Sequence, residues 1–517
     1  MANVQLFKSN RGRLVPGATA INEAGSAAYL RSAESALAQY AVTGCLNGVF
    51  YADAQMQLEQ VLAMCAEVSA EFVMKTAIYA RRRAHMKDMP ALLLAHLAVR
   101  DGELLAKAFP LVIDNGRMLR NFVQILRSGV VGRKSLGTRP KRLVQRWLEQ
   151  ANVDRILSAA VGEKPSLADV IRMVHPKPRD AEREALYAWL IGKPHRAEAL
   201  PELVRQFEGF KLQPGDDVPD LPFQYLTALP LTAEHWKAIA RRSSWQATRM
   251  NLNTFQRHGV FQDAGLVELV AARLRDEQAI AKARVFPYQL MTAYQAAAGE
   301  LPPAIVEALQ DAMELATRNV PRVAGEVVVA VDVSGSMASP VTGHRRGATS
   351  AVRCVDVAAL IAACIKRVNP SARVLPFAEA LREVRLNARD SVMTQAAQLA
   401  ALLGGGTNVS APLASLNAKR VDVDLLVLVS DNQSWVEGCQ GRGTATMQQW
   451  VQIKARCPAA RMACIDLQPY ATSQTVESED VLHVGGFSDA VFEVVAAFAE
   501  GGRQMAWVER IEAVTLQ

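Results

Sequence analysis

A run of apolar residues ending in an aspartate does most to limit what this chain can fold into. It reads Glu326-Val-Val-Val-Ala-Val-Asp332-Val-Ser334-Gly-Ser336-Met337. Five apolar residues without a polar break predict a strand buried on both faces, as in a parallel sheet. Asp-x-Ser-x-Ser follows at the carboxyl end of that strand, where open α/β sheets bind ligands. Two further stretches fit the same site. Gly404-Gly-Gly-Thr407-Asn408 sets a threonine hydroxyl on a permissive glycine loop, and Asp424-Leu-Leu-Val-Leu-Val-Ser430-Asp431-Asn432 is a second buried strand ending in a carboxylate. Asp332, Ser334, Ser336, Thr407 and Asp431 together offer hard oxygen donors. Such donors suit Mg²⁺ or another divalent cation. The plainer reading, that Ser and Asp cap helices and fill turns here, leaves Thr407 and Asp431 as coincidences. The metal loop is expected at the surface, so that Asp332→Ala costs little of the fold.

Strand and helix alternate around these motifs. Strands are predicted at 327–332, 373–377, 425–430, 461–467 and 481–484. Helices are predicted at 353–368, 409–419, 448–457 and 489–500. This βαβ order predicts a mostly parallel, doubly wound sheet. The 517 residues exceed what one core organises, so a second domain is expected. From about Ala27 to Val320 the pattern is helical throughout, rich in Ala, Leu, Glu, Gln and Arg. Amphipathic pieces at 58–84, 90–98, 102–115, 117–128, 140–151 and 266–282 are separated by short glycine breaks. Many helices with short connections predict stacked pairs in a solenoid or ring. Residues 1–20, with Lys8, Arg11 and Arg13, read as an irregular arm. The expected division is a helical domain over 1–320 and an α/β domain over 321–517.

Charge separates the same two parts. The net charge is +7. Residues 1–320 hold 40 Lys and Arg against 32 Asp and Glu, and the remainder holds 18 against 19. The window 101–150 alone has ten basic and four acidic residues. Such asymmetry predicts a polyanion partner for the first part. No apolar run is long enough to span a bilayer. No signal-peptide core opens the chain, and the seven cysteines form no Cys-x-x-Cys pair. These features point to reduced thiols and a cytoplasmic location.

The densest basic stretch runs from Arg117 to Trp147. Arg117, Arg120 and Arg127 recur on one helical face, opposite Leu119, Phe122, Val123 and Leu126. A glycine-bounded loop then carries Arg133 and Lys134. Beyond it Arg139, Lys141, Arg142 and Arg146 sit at the start and along the edge of the next helix. A cationic loop beside a basic helix edge suits phosphate contacts, which give affinity without reading sequence. The plainer reading is cationic capping and solvation. A second cluster is Arg172, His175 and Lys177. A third, Arg242, Arg249, Asn253, Arg257 and His258, mixes cations, amides and aromatics at helical spacing, as recognition of unpaired bases requires. In that third stretch Trp245, Leu252 and Phe255 also read as core.

The Asp332-x-Ser334-x-Ser336, Thr407 and Asp431 set resembles the metal-ion-dependent adhesion site (MIDAS) of von Willebrand factor A (VWA) domains. That resemblance implies a divalent metal whose open position takes an acidic ligand from a partner. Stretches of the first part are similar to another family. They include Ala36-Leu-Ala-Gln-Tyr-Ala-Val-Thr-Gly-Cys-Leu-Asn-Gly-Val-Phe-Tyr51, Gly132-Arg-Lys-Ser-Leu-Gly-Thr, Asp169-Val-Ile-Arg-Met-Val-His-Pro-Lys-Pro and Met250-Asn-Leu-Asn-Thr-Phe. With a VWA-like domain behind them, they make the chain resemble the bacterial members of the Ro autoantigen family, the TROVE-domain RNA-binding proteins. The resemblance implies a ring of HEAT-like repeats closed by the VWA domain. It also implies binding of single-stranded 3′ ends of misfolded non-coding RNAs in the central hole and of Y RNAs on the outer surface, and work alongside an exoribonuclease in RNA decay or maturation. One stretch departs from the family. Leu157–Leu167 keeps only Lys164 of a basic, His-containing segment, which removes the Y RNA contacts expected there.

The leading expectation is therefore a non-enzymatic RNA-binding ribonucleoprotein component. The alternative is a VWA partner of a MoxR-type AAA+ ATPase without RNA binding, which needs no basic helical domain. A Mg²⁺-dependent hydrolase lacks a general base beside the metal loops. His344, Arg345 and Arg346 follow the first loop with no nucleophile next to them, and no P-loop or dinucleotide fingerprint occurs.

Overall fold

The computed structural model describes residues 14–516, apart from 45, 163, 216, 284–286, 298, 300, 319, 345–351, 388, 436–442, 487–489 and 502–506. The arm residues Lys8, Arg11 and Arg13, together with Cys45, Cys439, Arg345 and Arg346, lie outside the described residues. Among the described residues there are eight strands: β1 (Ala20–Ile21), β2 (Ala27–Leu30), β3 (Val327–Asp332), β4 (Arg373–Phe377), β5 (Leu425–Ser430), β6 (Arg461–Asp466), β7 (Thr472–Ser473) and β8 (Val481–Gly485).

Five of them form a parallel sheet in the order β4-β3-β5-β6-β8. Its strands are those the sequence predicts. All six residues of β3 and all six of β5 are buried. Alternate residues point to opposite faces, so the sheet is covered on both sides. Val328, Ala330, Leu426 and Leu428 share a core with Leu413, Leu416, Met447, Trp450 and Ile453. The helices Cys354–Val368 and Ala490–Ala499 also pack against the strands. From β3 the chain crosses to β4 on one side and later to β5 on the other. The carboxyl ends of β3 and β5 therefore flank the switch point where ligands bind in such sheets.

The compact units do not follow the linear order of the chain. One comprises 1–64, 286–291 and 316–511; the other comprises 65–285, 292–315 and 512–517. The N-terminal segment thus belongs with the parallel sheet. Ala27–Leu30, expected to be helical, is instead β2, antiparallel to β1 and to β7. The reason is pairing. Tyr29 lies opposite Ser473 and Leu30 opposite Thr472, and a ladder with a distant partner overrides the helical preference of two alanines.

In the second unit helices pack on their near neighbours in sequence. Helix Ala70–Arg82 contacts Asp88–Arg100 and Gly102–Val112, Asp88–Arg100 contacts Gly116–Ser128, and Gly102–Val112 contacts Thr138–Gln150. Contacts at one and two helices along the chain are those of a two-layered stack of repeats. The predicted 58–84 helix is broken into Ala54–Glu67 and Ala70–Arg82, because the Ser69 side chain accepts a hydrogen bond from the Phe72 amide at 3.1 Å. This is an N-cap. Among the described residues no helix is long and apolar enough to cross a membrane.

Candidate metal centre and basic surface

The parallel register sets Ser430 of β5 beside Asp332 of β3, and its hydroxyl donates to Asp332 Oδ2 at 2.6 Å. The Ser334 amide donates to Asp332 Oδ1 at 2.8 Å. Ser334 Oγ and Ser336 Oγ lie 3.3 Å apart. The glycine loop is stitched to this first loop by Gly335 N to Gly405 O at 2.9 Å and Gly404 N to Val333 O at 2.8 Å. Gly405 has φ +88°, and a Cβ there would meet Arg382 Nη2 at 3.0 Å. Glycine suits both the angle and the space. The third loop joins the second through the Trp435 amide and the Ser434 hydroxyl, which donate to the Thr407 carbonyl at 3.1 and 3.2 Å. All five candidate ligands are thereby held in one place.

They are not at the surface. Asp332, Ser334, Ser336, Thr407 and Asp431 are each at most 6 % exposed. The expectation of an exposed loop is therefore corrected, because the glycine loop and the third loop close over the end of the sheet. Burial of two neighbouring carboxyl groups has an electrical consequence. Desolvation, then the neighbouring Asp332 charge, pushes the Asp431 carboxyl up to about 7. Asp332 is raised as well, by desolvation, against the hydrogen bonds of Ser334 and Ser430. Asp431 Oδ1 accepts from the Gln433 amide at 3.2 Å, and its Oδ2 is buried without a partner in hydrogen-bond geometry. An orphaned buried carboxylate oxygen is costly. Two carboxylates and three hydroxyls fit a hard divalent cation, which would remove that cost. Among the described residues no cluster of three His, Cys, Asp or Glu side chains offers a site for a softer metal.

Sequence reasoning missed the N-terminal segment's part in this site. Asn22 Nδ2 donates to the Ser434 carbonyl at 2.6 Å, and the Glu23 amide donates to Gln433 Oε1 at 3.0 Å. Arg31, just beyond β2, forms a buried ion pair with Asp466 at the end of β6. Its other nitrogen lies 3.0 Å from His483 Nδ1, and His483 Nε2 lies 2.7 Å from Thr475 Oγ1. Breaking such a pair leaves a lone buried charge, at about 3–5 kcal/mol. Tyr51 and Tyr470 also stand close to Asp431. No local pattern marks these residues, because their partners lie hundreds of positions away.

The basic surface lies in the helical unit. Arg117, Arg127, Lys134, Arg139, Arg142 and Arg146 are exposed, and Lys141 is half-buried. Arg120 is a correction. It is 8 % exposed and caps the chain at Val161 O (2.6 Å) and Pro165 O (3.4 Å), so it is a packing residue. Arg133 is half-buried and donates to the Ala98 carbonyl at 3.1 Å. Arg127 sits in a shallow pocket with Gln124, Lys164 and Met173. In the second cluster Arg172 is exposed but engaged by Asp169 (3.3 Å) and the Ile191 carbonyl (2.7 Å). His175 is exposed in the left-handed conformation at a helix end, and Lys177 is exposed. In the third cluster Trp245, Leu252 and Phe255 are buried, as their core reading requires. Arg242 and Arg257 are exposed; Arg249 and Asn253 are half-buried. His258 is stacked on Trp236, ring centroids 4.2 Å apart.

A two-layered helical repeat unit and a parallel-sheet unit with an Asp-x-Ser-x-Ser, Thr, Asp centre define a class: helical-repeat proteins that carry a VWA domain. Residues 326–499 match the Ro60 vWA domain. Over 516 aligned residues the chain is 29 % identical to the RNA-binding protein RO60 of Deinococcus radiodurans, covering 93 % of this chain and 95 % of that one. The crystal structure of the Deinococcus radiodurans RO (RSR) protein is similar with a TM-score of 0.63 at 25 % identity, covering 91 % of this chain and 100 % of that one. Along nearly its whole length the chain is therefore similar to proteins of the Ro type.

Proposed function

We propose that this chain is an RNA-binding protein of the Ro type. It binds structured or misfolded non-coding RNAs, Y RNA and single-stranded 3′ ends among them, in RNA maturation, quality control or decay. The observation that carries this reading is the set of exposed cations on two neighbouring helices and the loop joining them: Arg117, Arg127, Lys134, Arg139, Arg142 and Arg146. Similarity along nearly the whole chain to a protein named as RNA-binding supports it. Phosphates contact this surface, and an exoribonuclease acts on the bound RNA. The chain itself performs no catalysis. Asp332, Ser334, Ser336, Thr407 and Asp431 hold Mg²⁺, which supplies a charged position for an acidic ligand of a partner. Five free cysteines among the described residues, four of them buried, support a reducing, cytoplasmic setting.

The test is the salt dependence of RNA binding. Each phosphate contact contributes about 0.7 to 0.9 to the slope of log K against log salt. The triple variant Lys134→Ala/Arg142→Ala/Arg146→Ala should weaken all RNAs alike and flatten the slope by about 2 to 3. An unchanged slope returns these residues to solvation and packing.

A further inference from the structure

The candidate metal centre is closed, and part of its cover comes from the N-terminal segment of the same compact unit. Residues 47–52 lie as a strap along the backbone that follows the metal loop. The His344 amide donates to the Gly48 carbonyl at 2.8 Å, and Asn47 Nδ2 donates to the Thr342 carbonyl at 2.8 Å. Gly343, at φ +71°, leaves room for this approach; a Cβ there would lie 3.0 Å from the Gly48 carbonyl oxygen. At the strap's tip Val49 N bonds to Ala52 O at 2.8 Å, closing a turn that carries Phe50 and Tyr51. Phe50 is 55 % exposed. Its ring meets Tyr51 edge-on, with centroids 4.7 Å apart.

Tyr51 turns the other way. Its ring packs edge-on against Tyr470, centroids 5.9 Å apart, and Tyr470 is buried. Its phenol faces the hydroxyl of Ser336 and lies in the field of Asp431 and Asp332; burial and those charges push it up to about 12. A phenol hydroxyl therefore stands beside both carboxyl groups and the Ser336 hydroxyl. The five candidate ligands beneath it are almost wholly shielded from water, so a partner's carboxylate has no direct path to them in this conformation.

We propose that Tyr51 closes the approach to the metal centre and must be displaced before an anionic ligand reaches the ion. The inference rests on the assignment of Mg²⁺ to the centre. The strap is anchored at Asn47 and Gly48, and its tip carries the stopper. A phenol is a weaker ligand for a hard cation than a carboxylate, so the closure is reversible. The N-terminal segment then senses occupancy: an arriving carboxylate moves Tyr51, and with it the turn from Val49 to Ala52.

The test uses the full-length protein, Mn²⁺ as the probe ion and acetate as the probe anion. Mn²⁺ binding is measured first, in wild type and in Asp431→Ala. If wild type binds no Mn²⁺, or if Asp431→Ala binds it equally well, the metal assignment fails and takes this inference with it. Acetate is then titrated against Mn²⁺-loaded wild type, Tyr51→Ala and Tyr51→Phe. A stopper in place about nine-tenths of the time lowers apparent affinity about tenfold. Tyr51→Ala should therefore bind acetate about tenfold more tightly, with Mn²⁺ affinity no weaker than wild type. Tyr51→Phe keeps the ring and loses the hydroxyl, so it should show a smaller gain. It also carries the test if Tyr51→Ala does not fold. Unchanged acetate affinity in both variants overturns the proposal. Loss of Mn²⁺ from the folded Tyr51 variants overturns it as well, because Tyr51 would then support the ion rather than bar the way to it.

Discussion

His483 is a residue whose surroundings restrict its charge. It is buried on β8, with Arg31 against Nδ1 and Thr475 against Nε2. Desolvation, then the Arg31 charge, holds its imidazole well below the usual range. An arginine can only donate, so Nδ1 accepts and cannot take a proton without losing Arg31. The sign follows. Below about pH 6.5 the unfolded chain's histidine binds a proton that the folded chain refuses, so stability falls with pH by up to about 1.4 kcal/mol per unit. Asp466, which faces the same Arg31 and is pushed up to about 6, works in the opposite direction between its ordinary range and pH 6. Comparison with His483→Gln isolates the histidine. Melting should drop more steeply between pH 7 and 5.5 in wild type than in the variant, and equal slopes would show that His483 does not carry the effect. None of this was legible in the sequence. His483 sits in an apolar strand like any other buried residue, and its partner lies 452 positions away.

At the scale of elements, the three loops that carry the candidate ligands could be placed at strand ends from the sequence, and their depth could not. Asp332, Ser334, Ser336, Thr407 and Asp431 stand out because strand ends, glycines and hydroxyls have local signatures. Their burial depends on how loops close over one another, which no local pattern records. The crowded carboxylates make a prediction. With Asp431 pushed up to about 7, metal-free protein at pH 8 bears the cost of that buried charge. Asp431→Asn should then be no less stable than wild type without metal. Mg²⁺ at about a hundred times its Kd should stabilise wild type by about 2.7 kcal/mol and leave Asp431→Asn unmoved, read by thermal melting. A Mg²⁺ shift of equal size in both proteins would place the ion elsewhere. The short hairpin of β1 and β2 escaped sequence reading for another reason. Strands of two and four residues are too short to show a period.

At the scale of the whole molecule, helical content and charge asymmetry were both readable, since they are sums over many residues. The assignment of individual arginines was not, as the burial of Arg120 shows. On the helix Trp245–Arg257, which we propose for unpaired bases, Arg249 and Asn253 are half-buried and Met250 is exposed. Arg249→Ala or Asn253→Ala should weaken binding of RNAs with a single-stranded 3′ tail more than of blunt duplexes, since only unpaired bases offer free edges and faces. Equal losses for both RNAs would remove that role. The pairing of β2 with β7 also has a consequence for biosynthesis. Residues 27–30 leave the ribosome early, and their partners at 472 and 473 are made more than four hundred residues later. At about 5–20 residues per second the N-terminal strand waits roughly 20 to 90 seconds with one edge bare. Only a chain translated past residue 473 can cover that edge, so a product that stops short of it carries a lasting mark of its incompleteness for chaperones and proteases to read.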